Sequence, residues 1–233
     1  MKKIKENYAI ILIGLISIVL NLALHNLGIF SLIETKLYDV RFKLRGPLLN
    51  FDSDVVLVEI DDESFRLIPE PYPYPRGSIW SRAVKNLTNS GAKVIAFDIQ
   101  FDAEDRTLKA IENSQSSGCE NCSYIDQDQN FQNAIKYALN NGTKIILASK
   151  IGFESTRIPN DYLVLPTTKI MKANPQVGLV DHEVDIVDNV SRRYSIFSMI
   201  SDQPSKKYLS LGVQAALSFL DFDQGLLIDQ NIT

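Results

Sequence analysis

Three carboxylates, Asp61, Asp62 and Asp98, and one arginine, Arg76, sit where chemistry is easiest to place in an α/β chain. Ligands of open α/β sheets bind beyond the carboxyl ends of the strands. Asp61 and Asp62 end the apolar run DVVLVEI (54–60), and Asp98 lies at the end of AKVIAFDI (92–99). Arg76 closes YPYPR (72–76), a stretch in which each proline fixes φ and drives the tyrosine before it into an extended conformation. A helical pattern starts at Ser78, so a fixed cation stands at a helix N-terminus, where the macrodipole favours anions. The expectation is that a carboxylate, Asp61 or Asp98, holds the guanidinium in a bidentate pair. Two readings follow. In one, Asp61, Asp98, Arg76, Tyr72 and Tyr74 line a pocket for a small-molecule ligand. In the other, the arginine and its aspartate are an internal pair, and the tyrosines pack on the sheet edge.

Clustered carboxylates can also hold Mg²⁺ for phosphoryl hydrolysis. The sequence has no P-loop glycine pattern, no G-x-S-x-G and no H-E-x-x-H. Acidic strand ends arise equally as turn and capping residues. The sequence therefore assigns no catalytic residue, metal ligand or cofactor. Cys119 and Cys122 are the two cysteines, set in SGCENCS among loop-forming residues. In an oxidising compartment they are expected to form a local disulfide, with free thiols as the second reading. A zinc site would need further ligands, and His25 and His182 are the two histidines; a redox site would need a strand before the motif and a helix after it.

The elements that must position these groups alternate along the chain. Runs 54–60, 92–99 and 143–149 are short, apolar and rich in β-branched residues, as buried strands are. Between them, Ile79, Ala83 and Leu87 mark one helix, and Phe131, Ala134, Ile135, Ala138 and Leu139 the apolar stripe of another. This order predicts an α/β fold with a mostly parallel central sheet flanked by helices. Further on, 163–165, 184–187 and 192–200 are candidate short strands, the last the best of them. A helix is expected over 209–220, and 226–228 begins another strand.

Ahead of this domain, Tyr8 to Leu24 carries no ionised side chain, and apolar character resumes after His25. A spanning helix needs roughly 20 apolar residues. Lys2, Lys3 and Lys5 precede it, which predicts a cytoplasmic N-terminus and an outward-facing remainder. A cleaved signal peptide is disfavoured by the long apolar core and the lack of an A-x-A site. The expected organisation is a cytoplasmic segment 1–7, one transmembrane anchor 8–33, and an extracytoplasmic domain 34–233. The formal charge is −4; Lys2, Lys3, Lys5 and Glu6 contribute +2, which leaves −6 for the remainder. Such a remainder lacks the basic footprint of a nucleic-acid binder.

Several segments together resemble one family. TKLYDVRFKLRGP (35–47), VVLVEIDDESF (55–65), YPYPR (72–76), GAKVIAFDIQF (91–101), GLV (178–180) and DNVSRR (188–193) match, in order and spacing, the CHASE2 domain, an extracytoplasmic sensor of bacterial membrane receptors. In that family tryptophans usually stand where Tyr72 and Tyr74 are, and glycine where Asn189 is. Flat amphipathic rings are kept in the first case, and asparagine is the residue next most tolerant of φ > 0 in the second. The resemblance implies a membrane-anchored sensor that couples an unknown small-molecule or physical stimulus to a cytoplasmic output domain. Such outputs are adenylate or guanylate cyclases, histidine kinases, diguanylate cyclases or serine/threonine kinases, and none is present in these 233 residues. The chain is thus expected to be a fragment of a receptor, located in the cell membrane and able to self-associate as a homodimer. A stand-alone anchored interaction module is the alternative.

Overall fold

A computed structural model describes residues 2–47, 53–105, 107, 126–153, 161–182, 184, 188–201 and 203–222. The chain divides into two compact units, Met1–Glu59 and Ile60–Thr233.

The first unit holds two helices, α1 (Lys2–Asn26) and α2 (Ile29–Arg45). A continuous anchor over 8–33 was the expectation, and the structure corrects it. The two helices meet at a bend of 67°. Gly28 takes φ 68°, and its N–H donates to the His25 carbonyl at 3.0 Å, so it closes α1 as a C-terminal glycine does. Among the described residues no single helix is long and apolar enough to cross a membrane. The bent pair Ile11–Asn26 and Ile29–Arg45 meets that requirement together, by length and composition. The side chains of α1 from Ile11 to Leu22 are exposed apolar groups almost throughout.

The second unit is built on β2 (Lys144–Phe153). β1 (Val94–Phe97) pairs with it in parallel, Val94 opposite Lys144, and β4 (Gln176–Leu179) pairs in parallel with Ile146 to Ser149. The last four residues of β2 pair antiparallel with β3 (Asp161–Val164). β5 (Phe197–Ile200) and β6 (Gln203–Leu209) form a separate antiparallel ladder. The sheets are therefore mixed rather than mostly parallel. Among the described residues the expected first strand, 54–60, joins no ladder, and Val55 to Val58 are exposed. An apolar β-branched run has the composition of a strand, but only pairing makes it one. Of the strand expected over 184–187 only Val184 is described, and it is not strand; the one expected over 226–228 lies outside the described residues, and of 192–200 only β5 is strand.

Alternation along the strands assigns the layers. Ile95, Phe97, Ile145 and Leu147 enter one core with Val84, Phe131, Ala134, Ile135 and Ala138. Those last five come from α4 (Ser81–Asn89) and α5 (Gln127–Asn140), the two helices the apolar spacing foretold. Ile146 and Ala148 are equally buried but point the other way, because side chains alternate across a strand. The helix α7 (Leu211–Phe219) is the element there, next to β4, β1 and β2. A Cβ on Gly178 of β4 would lie 2.6 Å from the Leu211 Cα, so this glycine lets α7 settle onto the sheet. Gln214 Nε2 donates to Gln176 Oε1 at 3.0 Å and ties α7 to β4. Just past α7, Asp221 takes Lys93 on one carboxylate oxygen and Lys144 on the other, both at 2.6 Å. Two short helices complete the unit, α3 (Asp62–Leu67) and α6 (Thr168–Met171).

Candidate functional site

YPYPR delivers its arginine into a π-helical turn, Arg76–Trp80, that runs directly into α4. Pro73 follows a cis peptide bond, and Tyr74, Pro75 and Arg76 are buried. Arg76 pairs with neither Asp61 nor Asp98. Its Nη1 donates to Asp128 Oδ1 at 2.7 Å, with 11% and 3% of the two side chains exposed. Its Nη2 donates to the Ala103 carbonyl at 2.7 Å, and its backbone N–H to Asp105 Oδ2 at 2.8 Å. The guanidinium lies 5.1 Å from the centre of the Phe101 ring. One cation thus gathers the start of α4, the segment 101–105 and the start of α5.

This geometry resolves the problem of a cation at a helix N-terminus. The terminus itself is served by an acid, since Asp105 accepts the Arg76 N–H. The positive side chain reaches sideways to Asp128, which sits in the first turn of α5 where a negative charge is favoured. Asp126, the N-cap of α5, accepts the Gln129 N–H at 2.9 Å and the Lys169 ammonium at 2.7 Å. Burial works against the Asp126 charge, but Lys169 and the Gln129 N–H outweigh it and hold the carboxyl below its usual range. Asp61 and Asp98 lost the arginine for different reasons. Asp61 is engaged as N-cap of α3, accepting the Ser64 N–H at 2.8 Å, and that bond lowers its pKa. Asp98 is exposed at the end of β1 and forms no ion pair with another described residue.

Of the five residues proposed for a pocket, three collect around α3. The Tyr74 hydroxyl donates to the Ser64 carbonyl at 3.1 Å, beside the Asp61 cap. The Tyr72 ring lies 5.6 Å from Tyr74 and 5.5 Å from Phe65, both edge-on. Tyr72 and Phe65 are exposed, whereas Tyr74 is buried and accepts the Trp80 indole N–H at its carbonyl at 3.1 Å. Ring contacts continue from Tyr74 through Trp80 to Phe97, Phe101 and Phe131 in the core. No hydrogen bond among the described residues links Arg76 or Asp98 to Asp61. Asp61, Asp62 and Asp98 do not converge, since among the described residues no three acidic, histidine or cysteine side chains could hold a metal ion together. Cys119 and Cys122 lie outside the described residues.

A second arginine–aspartate pair was not anticipated. Arg192 donates from Nη1 to Asp188 Oδ1 at 2.8 Å and from Nη2 to Asp188 Oδ2 at 2.7 Å. The turn between them carries Asn189 at φ 55°, the conformation for which asparagine was judged a workable substitute for glycine. A four-residue Asp-to-Arg spacing inside DNVSRR was a usable signal for this pair. For Asp128 the signal was an acid in the first turn of a predicted helix. Nothing local marked Asp105.

Fold and site define a mixed α/β domain organised around a buried arginine. The chain belongs to the CHASE2 domain family, whose profile matches residues 11–232. That family is one of extracytoplasmic sensing modules of signalling receptors rather than of catalysts. No curated protein and no solved structure matches the chain.

Proposed function

We propose that this CHASE2 domain is the stimulus-receiving part of a membrane receptor, anchored by its N-terminal apolar helices and facing away from the cytoplasm. It couples the stimulus to an output domain such as a nucleotide cyclase or a protein kinase. The family match over nearly the whole chain carries this reading. The apolar, exposed α1 behind Lys2, Lys3 and Lys5 supports the topology. The stimulus site is proposed at the α3 corner, where Asp61 and Tyr72 are exposed and Tyr74 backs them; Asp98, exposed at the end of β1, does not converge on it. Arg76 acts behind that corner as a latch. Asp128 and the Ala103 carbonyl hold its guanidinium, and the Tyr74–Trp80–Phe101 rings connect it to the corner.

The topology has a direct test. An alkaline phosphatase fused after Thr233 is expected to be active, because it folds only outside the cytoplasm. A reporter that works only in the cytoplasm is expected to be silent at the same position. The reverse pattern would remove the outward-facing sensor altogether.

A further inference from the structure

Phe65 and Tyr72 set two rings nearly at right angles on the surface at α3. Their centroids are 5.5 Å apart and their planes 80° apart, and 51% of Phe65 and 59% of Tyr72 is exposed. In the angle between two such rings, one point lies within ~6 Å of both centroids, the reach of a cation–π contact. Tyr74, buried behind them, meets Tyr72 edge-on at 5.6 Å and anchors its hydroxyl on the Ser64 carbonyl.

The surroundings are acidic. From Asp61 to Tyr74 the chain holds four carboxylates, Asp61, Asp62, Glu63 and Glu70, and one base, Arg66. Arg66 is paired with Glu63 at 3.0 Å. Asp62 stands three residues before Phe65, which places the two on the same side of α3. Glu70 Oε2 is buried and has no hydrogen-bond partner among the described residues. The rings lack a cation as well. Among the described residues, Phe42, Phe101, Phe197, Tyr208 and Phe219 each carry a lysine or arginine of the chain at 4.5–5.3 Å, and Phe65 and Tyr72 carry none.

We propose that the angle between Phe65 and Tyr72 binds a small methylated ammonium compound, with the two ring faces against the cation and Asp62 as its counter-charge. The inference deepens the reading of the α3 corner as the stimulus site and rests on it. Shape and charge together choose this class. Ring faces favour a weakly hydrated cation over a compact, strongly hydrated one. A planar guanidinium can lie flat on only one of two perpendicular rings, whereas a tetrahedral ammonium turns methyl groups to both. A divalent metal ion needs several convergent oxygens, and among the described residues no three acidic side chains converge. An anion would be repelled by the carboxylates, and an uncharged apolar ligand would leave them without a role.

Ligand-observed NMR on the full chain in dodecyl maltoside, with choline as the probe, tests the site. Choline is expected to saturate at millimolar concentration or below, and neohexyl alcohol, its uncharged isostere, to show no saturation. Phe65→Leu and Tyr72→Leu keep apolar area but remove a ring. Each should weaken choline about two- to fivefold, the size of one exposed cation–π contact. Tyr72→Phe should match the parent chain, and Asp62→Asn should bind more weakly. Equal affinity for choline and neohexyl alcohol, no saturation by choline, or parent affinity in the leucine or asparagine variants would overturn the site. Methylguanidine should bind less tightly than choline; the reverse order overturns the ammonium assignment. Glycerophosphocholine carries the same head group beside a phosphate and should also bind less tightly. Tighter binding there moves the partner to a lipid head group and overturns the small soluble cation. Solubilised protein reports binding without reference to topology. An outward-facing reporter without choline binding therefore overturns the cation site and keeps the receptor. Choline binding with an inward-facing reporter keeps the site and overturns the receptor.

Discussion

Arg76–Asp128 and Arg192–Asp188 are the same chemistry used for two purposes. The first joins residues 52 apart in sequence, and the second residues four apart. Arg192 places both ends of its fork on one carboxylate four residues away and closes a turn. Arg76 divides its fork between a carboxylate and a carbonyl on different segments, so it holds a tertiary arrangement that nothing local would restore. The comparison separates an ion pair that shapes a loop from one that shapes a domain, and the second should be the more costly to break.

The sharpest break is Arg76→Ala. Removing one partner of a buried pair strands the other charge and costs roughly 3–5 kcal/mol. Urea unfolding of the detergent-solubilised chain, followed by the fluorescence of Trp80, its sole tryptophan, should show this loss. Arg76→Lys should recover little of it, because an ammonium cannot span Asp128 and the Ala103 carbonyl in a fixed fork. Arg192→Ala should cost less, about 1.5–3 kcal/mol for lost charge-assisted hydrogen bonds, because Asp188 retains access to water. Equal losses for the two arginines would erase the distinction.

A third pair of contacts sharpens the comparison at the exposed extreme. The Lys144 ammonium, and then that of Lys93, hold the Asp221 carboxyl down from 3.8 to about 2. A depressed pKa means that the ionised form is favoured in the folded state. Its contribution is therefore complete above pH 3.8 and is lost as the pH falls through about 2. The difference in unfolding midpoint between the parent chain and Asp221→Asn should be constant near neutrality and vanish across that window. It should also shrink in high salt, unlike the Arg76→Ala effect, because these groups face solvent. The smallest change is expected for Asp61→Ala, which removes a cap from a six-residue exposed helix. It should speed amide exchange at Ser64 and leave the global midpoint nearly unmoved.

What the sequence revealed follows the same division between local and distant. α5 and β2 were legible because a period of 3.6 and an apolar β-branched run are properties of neighbouring residues. The turn at Asn189 came instead from the CHASE2 resemblance, in which glycine stands at that position. β4 was not recognised as a strand, since four residues containing Gly178 carry too little pattern. The run 54–60 had strand composition, yet composition does not supply a partner. Arg76 was singled out correctly as a residue in need of an acid. Its partner was misassigned because the topology was taken to bring strand ends together, whereas the first turn of α5 and the segment before it supply both acids. An arginine's need is written in its own neighbourhood, but the residue that meets it is chosen by the fold.

The close approach at Gly178 makes α7 a fixed part of the sheet. At its Leu211 end the helix rests directly on backbone, with no side chain between to compress or rotate. Further along, the Gln214 and Ser218 side chains both reach Gln176 of β4, and the Lys144 ammonium donates to the Ser218 carbonyl at 2.7 Å. A side chain at position 178 would have to lift the helix against all of these contacts at once, so Gly178→Ala is a loss for the whole domain and not a loosening of one end.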